Sequence, residues 1–270
     1  MNWVGAQLRR RPLGCRFEEA VRPISRVLGG AKMLFRSFFR RFSWTSERPT
    51  DEFDELAWLN PPTQADDAAA WDRYWGNRLA HGLGPPMSDM FCDDRALVGA
   101  MREASMSTVL CAGNGSSMEP RALAAAGFEV VALDISARGL EIARTFQPST
   151  ELLVRFIDLA MLRPGGSVEF VVGDVFDPDV CPGPFDVVIE RCTAQNYEAS
   201  ECYRFMDALA SRLAEKGILG SQSHDAGWKP GRKPYHATRP WFEQHGWPVW
   251  SGDPDAKPRS RVAWPIQTTG

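Results

Sequence analysis

The chain has 270 residues, 44% of them hydrophobic, with 10 Trp and 15 Phe, enough to pack a core for one large or two small domains. Residues 1–48 hold eleven Lys or Arg against three acids, or +8, which leaves −11 for the rest of a chain whose net charge is −3; so acidic a body is a poor generic binder of nucleic acid. Six cysteines with no Cys-x-x-Cys pair and four histidines have the spacing of neither a zinc site nor a disulfide framework, and with no apolar run of membrane-span length and no signal cleavage pattern, a metal-free cytoplasmic protein is expected.

Residues 1–49 form a basic N-terminal extension, with Met33-Leu34-Phe35 and Phe38-Phe39 set among arginines. It reads as a disordered leader, as a start assigned too early with Met33 as the true one, or as an amphipathic segment resting on an anionic membrane or partner. Residues 50–65, acidic and containing Asn60-Pro61-Pro62, read as a linker. A domain over 66–270 follows and opens with a helical lid at 66–105. In it Trp71, Tyr74 and Trp75 fall at i, i+3 and i+4, a stripe that serves as core or as cover over a ligand. His81 to Pro86 can hinge, and Asp89 to Ser105 forms a second helix.

Thr108 to Ala112 is a short apolar strand that stops at Gly113-Asn114-Gly115, where glycines allow positive φ and a close backbone approach, so the turn is a candidate anion cradle. Ser116 to Glu119 matches a capping box, with Pro120 in the first helical turn and Gly127 at the end. Phe128 to Leu133 is a second strand, and Asp134 stands about 20 residues beyond the glycine turn, where an acid can bond a ribose hydroxyl. Together these make a nucleoside-binding βαβ unit.

Ser136 caps a helix through Phe146, and Thr150 to Leu162 is a further helical run. Val168 to Val172 is a third strand that ends at Asp174, and Phe185 to Ile189 a fourth that leads into Glu190 to Tyr197. Glu198 to Glu215 forms an amphipathic helix, Ile218 to Ser223 a fifth strand with His224-Asp225 at its exit, and residues 247–251 and 261–267 a closing hairpin. Alternation of this kind predicts a doubly wound α/β fold: a mainly parallel seven-stranded sheet, helices on both faces, and a C-terminal antiparallel strand, with ligands at the carboxyl ends of the strands.

These landmarks, in this order, resemble the class I, Rossmann-like S-adenosylmethionine-dependent methyltransferases over residues 66–267. The resemblance is carried by Val109 to Gly115, Asp134, Gly173-Asp174-Val175, Phe185 to Val188 and the terminal strands, with a looser likeness to the small-molecule, thiopurine methyltransferase type. It implies that Gly113 and Gly115 face the methionine part of the cofactor, Asp134 the ribose hydroxyls, and Asp174 and Val175 the adenine, with Ala112, Asn114 and Ile135 also binding the cofactor. Glu190 and Arg191 would then border cofactor and acceptor. Two departures stand out: Cys111 replaces the usual acid of the glycine motif, and Met118 replaces the third glycine that a dinucleotide dehydrogenase needs.

In-line methyl transfer depends on holding donor and acceptor close in a site emptied of water, and requires few catalytic groups. Where the acceptor must lose a proton, Glu190 and His224 are the candidate bases. Trp71, Tyr74, Trp75, Arg191, Asn196 and Tyr197 are candidates for the acceptor side, and a small molecule is the expected acceptor. The alternatives are a non-catalytic binding module on the same fold, presenting the rim or the basic N-terminus to a partner, and an NAD-dependent oxidoreductase.

Overall fold

The computed structural model describes residues 62, 65–80, 94–154, 156–222, 238–247 and 262–265, all within the unit Asp54–Gly270. The basic extension 1–49, most of the linker, the hinge at 81–86 and His224 lie outside the described residues. Chain order gives α1 (Ala68–Ala80), α2 (Arg95–Glu103), β1 (Thr108–Ala112), α3 (Glu119–Ala125), β2 (Glu129–Asp134), α4 (Ala137–Thr145), α5 (Thr150–Leu153) and β3 (Ser167–Val172). Then come β4 (Phe185–Arg191), α6 (Ala199–Ser211), β5 (Leu213–Gln222), α7 (Thr238–Gln244) and β6 (Val262–Pro265).

The strands form one sheet in the order β3-β2-β1-β4-β5-β6, and every neighbouring pair is parallel. Parallel neighbours need a crossover rather than a hairpin, and helices supply it between most of them. A mainly parallel α/β sheet is therefore present, with six strands described where the sequence predicts seven. The last described strand, β6, runs parallel to β5, at the place where an antiparallel closing strand is expected.

Two faces of the sheet are apolar because side chains alternate along each strand. Val109 and Cys111 of β1, with Val187 and Ile189 of β4, face one core under Leu97, Met101 and Leu123. Leu110, Ala112 and Val188 face the other, under Phe205, Met206, Leu209 and Trp241. Among the described residues no helix is long and apolar enough to cross a membrane.

Three local expectations are corrected. The expected capping box does not form: Met118 is the N-cap residue without a side-chain bond, because Glu119 turns instead toward Arg191. The run from Thr150 to Leu162 breaks into a four-residue α5 and a 3-10 turn at Leu159–Met161. Helix α6 ends at Ser211 rather than Glu215, and β5 begins at Leu213 and is interrupted at once. Leu213 pairs with Phe185 and Ile218 with Val187, so residues 214–217 bulge out. Gly217 fits there because an added Cβ would lie 2.5 Å from Leu213 Cγ and 2.9 Å from the Asp186 carbonyl.

Asp186 staples β4 to the start of β1. Its Oδ2 accepts from Ser107 N at 2.8 Å, Thr108 N at 3.0 Å and Thr108 Oγ1 at 3.1 Å. Partial burial alone would raise its pKa, but the Ser107 and Thr108 donors prevail and hold it below the usual carboxylate value. Asp186→Ala is expected to cost about 1–3 kcal/mol of stability, read from urea unfolding, because two backbone N–H groups lose their acceptor. The cost is largest at neutral pH and fades as acid protonates Asp186 in the wild type.

Candidate active site

The strand order reverses between β1 and β4, so the loops after these strands frame the crevice. After β1, Gly113 and Gly115 take φ of 66° and 53°, in the left-handed region where glycine is favoured. The N–H of Asn114 donates to Leu133 O at 3.1 Å, and that of Gly115 to Asp134 Oδ2 at 2.6 Å. The N–H groups of Asn114 and Gly115 are thus spent on β2, and neither is offered to an anion. Glu119, one residue past the helix N-cap, adds a carboxylate to the same neighbourhood.

The open groups are acceptors. Asn114 Nδ2 donates to Gly115 O at 3.2 Å and to Ser117 O at 3.4 Å, which orients the amide. Its buried Oδ1 finds no hydrogen-bond partner among the described residues. Asp134 also accepts from Ser136 N at 2.8 Å through Oδ1. Burial pushes its carboxyl up to about 6 against the opposing Ser136 and Gly115 donors, and the Asp72 charge adds to the rise. Ser136 caps α4 as expected, accepting from Gly139 N at 3.0 Å.

Helix α1 lies beside this turn. Asp72 Oδ1 accepts from Ser136 Oγ at 2.6 Å and Arg138 N at 2.9 Å, at the start of α4. Trp75 is buried, and a Cβ built on Gly115 or Gly139 would lie 2.5 or 2.8 Å from its ring. Trp71 stacks on Trp75 at 6.3 Å, and Tyr74 meets both rings edge-on. The aromatic stripe, read from the sequence as acceptor cover, is placed with Trp75 against the glycine turn.

At the exit of β4, Glu190 is 0% exposed. Its Oε2 accepts from Thr193 N at 3.2 Å and Ala194 N at 3.1 Å, and its Oε1 from Ser221 Oγ. Burial nevertheless raises its pKa above the ordinary value. Arg191 bonds Asp94, Glu119 (2.7 Å from Nε) and Gln222; the Arg191, Asp94 and Glu119 side chains are 8%, 1% and 3% exposed. The thiol of Cys111, in the position of the missing acid, is pushed up by burial and by the Glu119 and Asp94 charges. Those two carboxylates supply the negative charge that residue 111 lacks.

Asn196 Nδ2 donates to Cys192 O at 2.9 Å, and Tyr197 is buried, stacked on Phe205 at 5.0 Å. Past the end of β3 Val175 is buried, while Asp174 is exposed and accepts from Phe176 N at 2.8 Å. The structure therefore brings the Gly113–Gly115 turn, Asp134 and Trp75 together, buries Ala112 in the core, and turns Arg191 and Tyr197 into packing. Sequence reasoning missed Asp72, Asp94, Thr193 and Gln222. Their partners lie 64, 97, 80 and 31 residues away, so no local pattern marks them.

Asn114 Oδ1 and the buried Asp134 carboxylate can accept from hydroxyl or ammonium donors of a ligand. S-adenosylmethionine has that donor set, and the unpaired Asn114 Oδ1 and the buried Asp134 carboxylate fit it. Residues 110–220 match the family model described as a methyltransferase domain. The match runs from β1 to β5, over 111 of the 270 residues. No curated protein matches the chain in sequence. Among solved structures it is similar to magnesium protoporphyrin IX methyltransferase from Synechocystis PCC 6803 with bound SAM, at 19% identity over 80% of this chain and 85% of that one, TM-score 0.41. It is also similar to an amino pentose methyltransferase from Micromonospora echinaspora involved in calicheamicin biosynthesis, at 21% identity over 58% of each chain, TM-score 0.36. A structure described for the conversion of a disulfide bond into a thioacetal group in echinomycin biosynthesis is similar at 23% identity over 56% of this chain and 58% of that one, TM-score 0.41. The chain spans less than two thirds of the length of the last two.

Proposed function

We propose that the protein transfers a methyl group from S-adenosylmethionine to a small-molecule acceptor. The observation that carries this reading is the state of the glycine turn. The Asn114 and Gly115 N–H groups are bonded to Leu133 O and Asp134, while Asn114 Oδ1 and the Asp134 carboxylate offer acceptors. A dinucleotide would need those N–H groups for its pyrophosphate, which disfavours the oxidoreductase reading.

The bound donor supplies a methyl group on a sulfonium, transferred by in-line displacement. In this reading Asp134 accepts from the ribose hydroxyls and Asn114 Oδ1 from the ammonium, with Ile135, Asp174 and Val175 along the nucleoside. Trp75 excludes water from the donor side. Glu190, whose oxygens already serve Thr193, Ala194 and Ser221, supports the loop after β4 and leaves His224 as the candidate base. Arg191 shapes the acceptor wall from within, and Asn196 and Tyr197 back it. A seventh closing strand, a cytoplasmic location and the absence of a nucleic-acid partner go with this reading, the last supported by the −11 charge beyond residue 48.

Incubation of the full chain with S-adenosylmethionine and a panel of hydroxyl, amine and thiol metabolites should release S-adenosylhomocysteine with at least one of them. Thermal stabilisation by NAD with no response to S-adenosylmethionine or S-adenosylhomocysteine would refute the assignment.

A further inference from the structure

We propose that Thr193 is a positioning residue for the donor: its hydroxyl sets the orientation of the Gly113–Asn114 peptide and, through it, the cofactor-facing side of the glycine turn. This rests on reading the crevice as a methyl-donor site. Thr193 lies in the loop after β4 and Gly113 in the loop after β1, 80 residues apart in sequence. Thr193 Oγ1 donates to Gly113 O at 3.1 Å and lies 3.4 Å from Arg191 O.

A peptide unit is planar, so holding its oxygen and its N–H fixes the plane. The Gly113 oxygen is held by Thr193, and the N–H of the same unit, on Asn114, is held by Leu133 O at 3.1 Å. Strand β2 and the loop after β4 thereby control one peptide, and the direction of the Asn114 side chain follows from it. The contact is close: a Cβ on Gly113 would lie 2.1 Å from Thr193 Oγ1 and 2.5 Å from its Cγ2.

Thr193 is itself pinned before it reaches the turn. Glu190 Oε2 accepts from its N–H at 3.2 Å. The preceding residue, Cys192, takes a left-handed φ of 58° and donates its N–H to Gln222 O at 2.6 Å. A loop held this way can act as a fixed reference for the turn, which a mobile loop could not.

Titration calorimetry of the full chain with S-adenosylhomocysteine tests the assignment. Thr193→Val keeps the shape and removes the donor, so its affinity should fall roughly tenfold with only a small drop in melting temperature, and Thr193→Ser should bind like the wild type. Wild-type affinity in Thr193→Val would overturn the positioning role alone. So would affinity and melting temperature that fall together with no rescue by serine, since that marks a merely structural contact. If Thr193→Val does not fold, Thr193→Ser against Thr193→Ala decides, with equal affinities overturning the proposal. A wild-type chain that binds no S-adenosylhomocysteine would overturn both this role and the methyl-donor reading.

Discussion

Asp134→Asn should weaken S-adenosylhomocysteine binding by about 10- to 100-fold, the loss expected when hydrogen bonds to a charged acceptor become neutral ones. In the wild type the same affinity should depend on pH. The carboxyl titrates at about 6 because it is buried, although Ser136 and Gly115 donate to it. Hydroxyl donors favour the ionised form, so binding tightens as pH rises through about 6. At pH 5 a group of this pKa is about nine-tenths protonated, and affinity should be roughly tenfold below its value at pH 8. Calorimetric titrations at pH 5, 6, 7 and 8 read both effects; a flat wild-type profile would count against Asp134 as the ribose acceptor.

The same shift acts on the ligand-free fold with the opposite sign. With a folded pKa of about 6 against the ordinary 3.8, the native state holds the proton more tightly than the unfolded chain. Ionising Asp134 therefore destabilises the free protein as pH rises from about 4 to about 6, by on the order of 3 kcal/mol, and the penalty persists above. A bound donor, by supplying hydroxyl partners, offsets it. The difference in melting temperature between the wild type and Asp134→Asn should change across this window and be constant outside it.

Arg191→Met should lower stability by about 3–5 kcal/mol, or roughly 10 °C in melting temperature, because it strands two buried carboxylates beside each other. Asp94 and Glu119 both bond the guanidinium, and all three side chains are nearly inaccessible. The charges come from the start of α2, the start of α3 and the end of β4, so the loss loosens three elements at once. Pairing the change with Asp94→Asn and Glu119→Gln removes the like charges and should restore more than half of the stability, since an uncharged cluster is often as stable as a buried ion pair. Urea unfolding of the single and triple variants measures this. A single variant as stable as the wild type would show that the network contributes nothing.

The buried network also explains where sequence reading stopped. Gly113, Gly115, Asp134 and the Ser136 cap were legible because each is encoded within a few residues: an apolar run, a glycine turn, a second apolar run and an acid. The unbroken apolar runs Val109 to Ala112 and Val187 to Ile189 likewise specified strands covered on both faces. The end of α6 was misplaced because Arg212 to Glu215 is compatible with a helix. Tertiary pairing of Leu213 with Phe185 outweighed that local preference.

Local sequence alone determined the glycine turn, the acid at the end of β2 and the Ser136 cap, since each follows from neighbours along the chain. Only the tertiary structure decided that Arg191 faces two acids instead of an acceptor, that Trp75 lies on Gly115, and that Thr193 reaches Gly113. Those contacts join residues 40 to 97 positions apart. They arise from how β1 and β4 are juxtaposed, and nothing within a short window of sequence encodes which side chains meet once the strands are side by side.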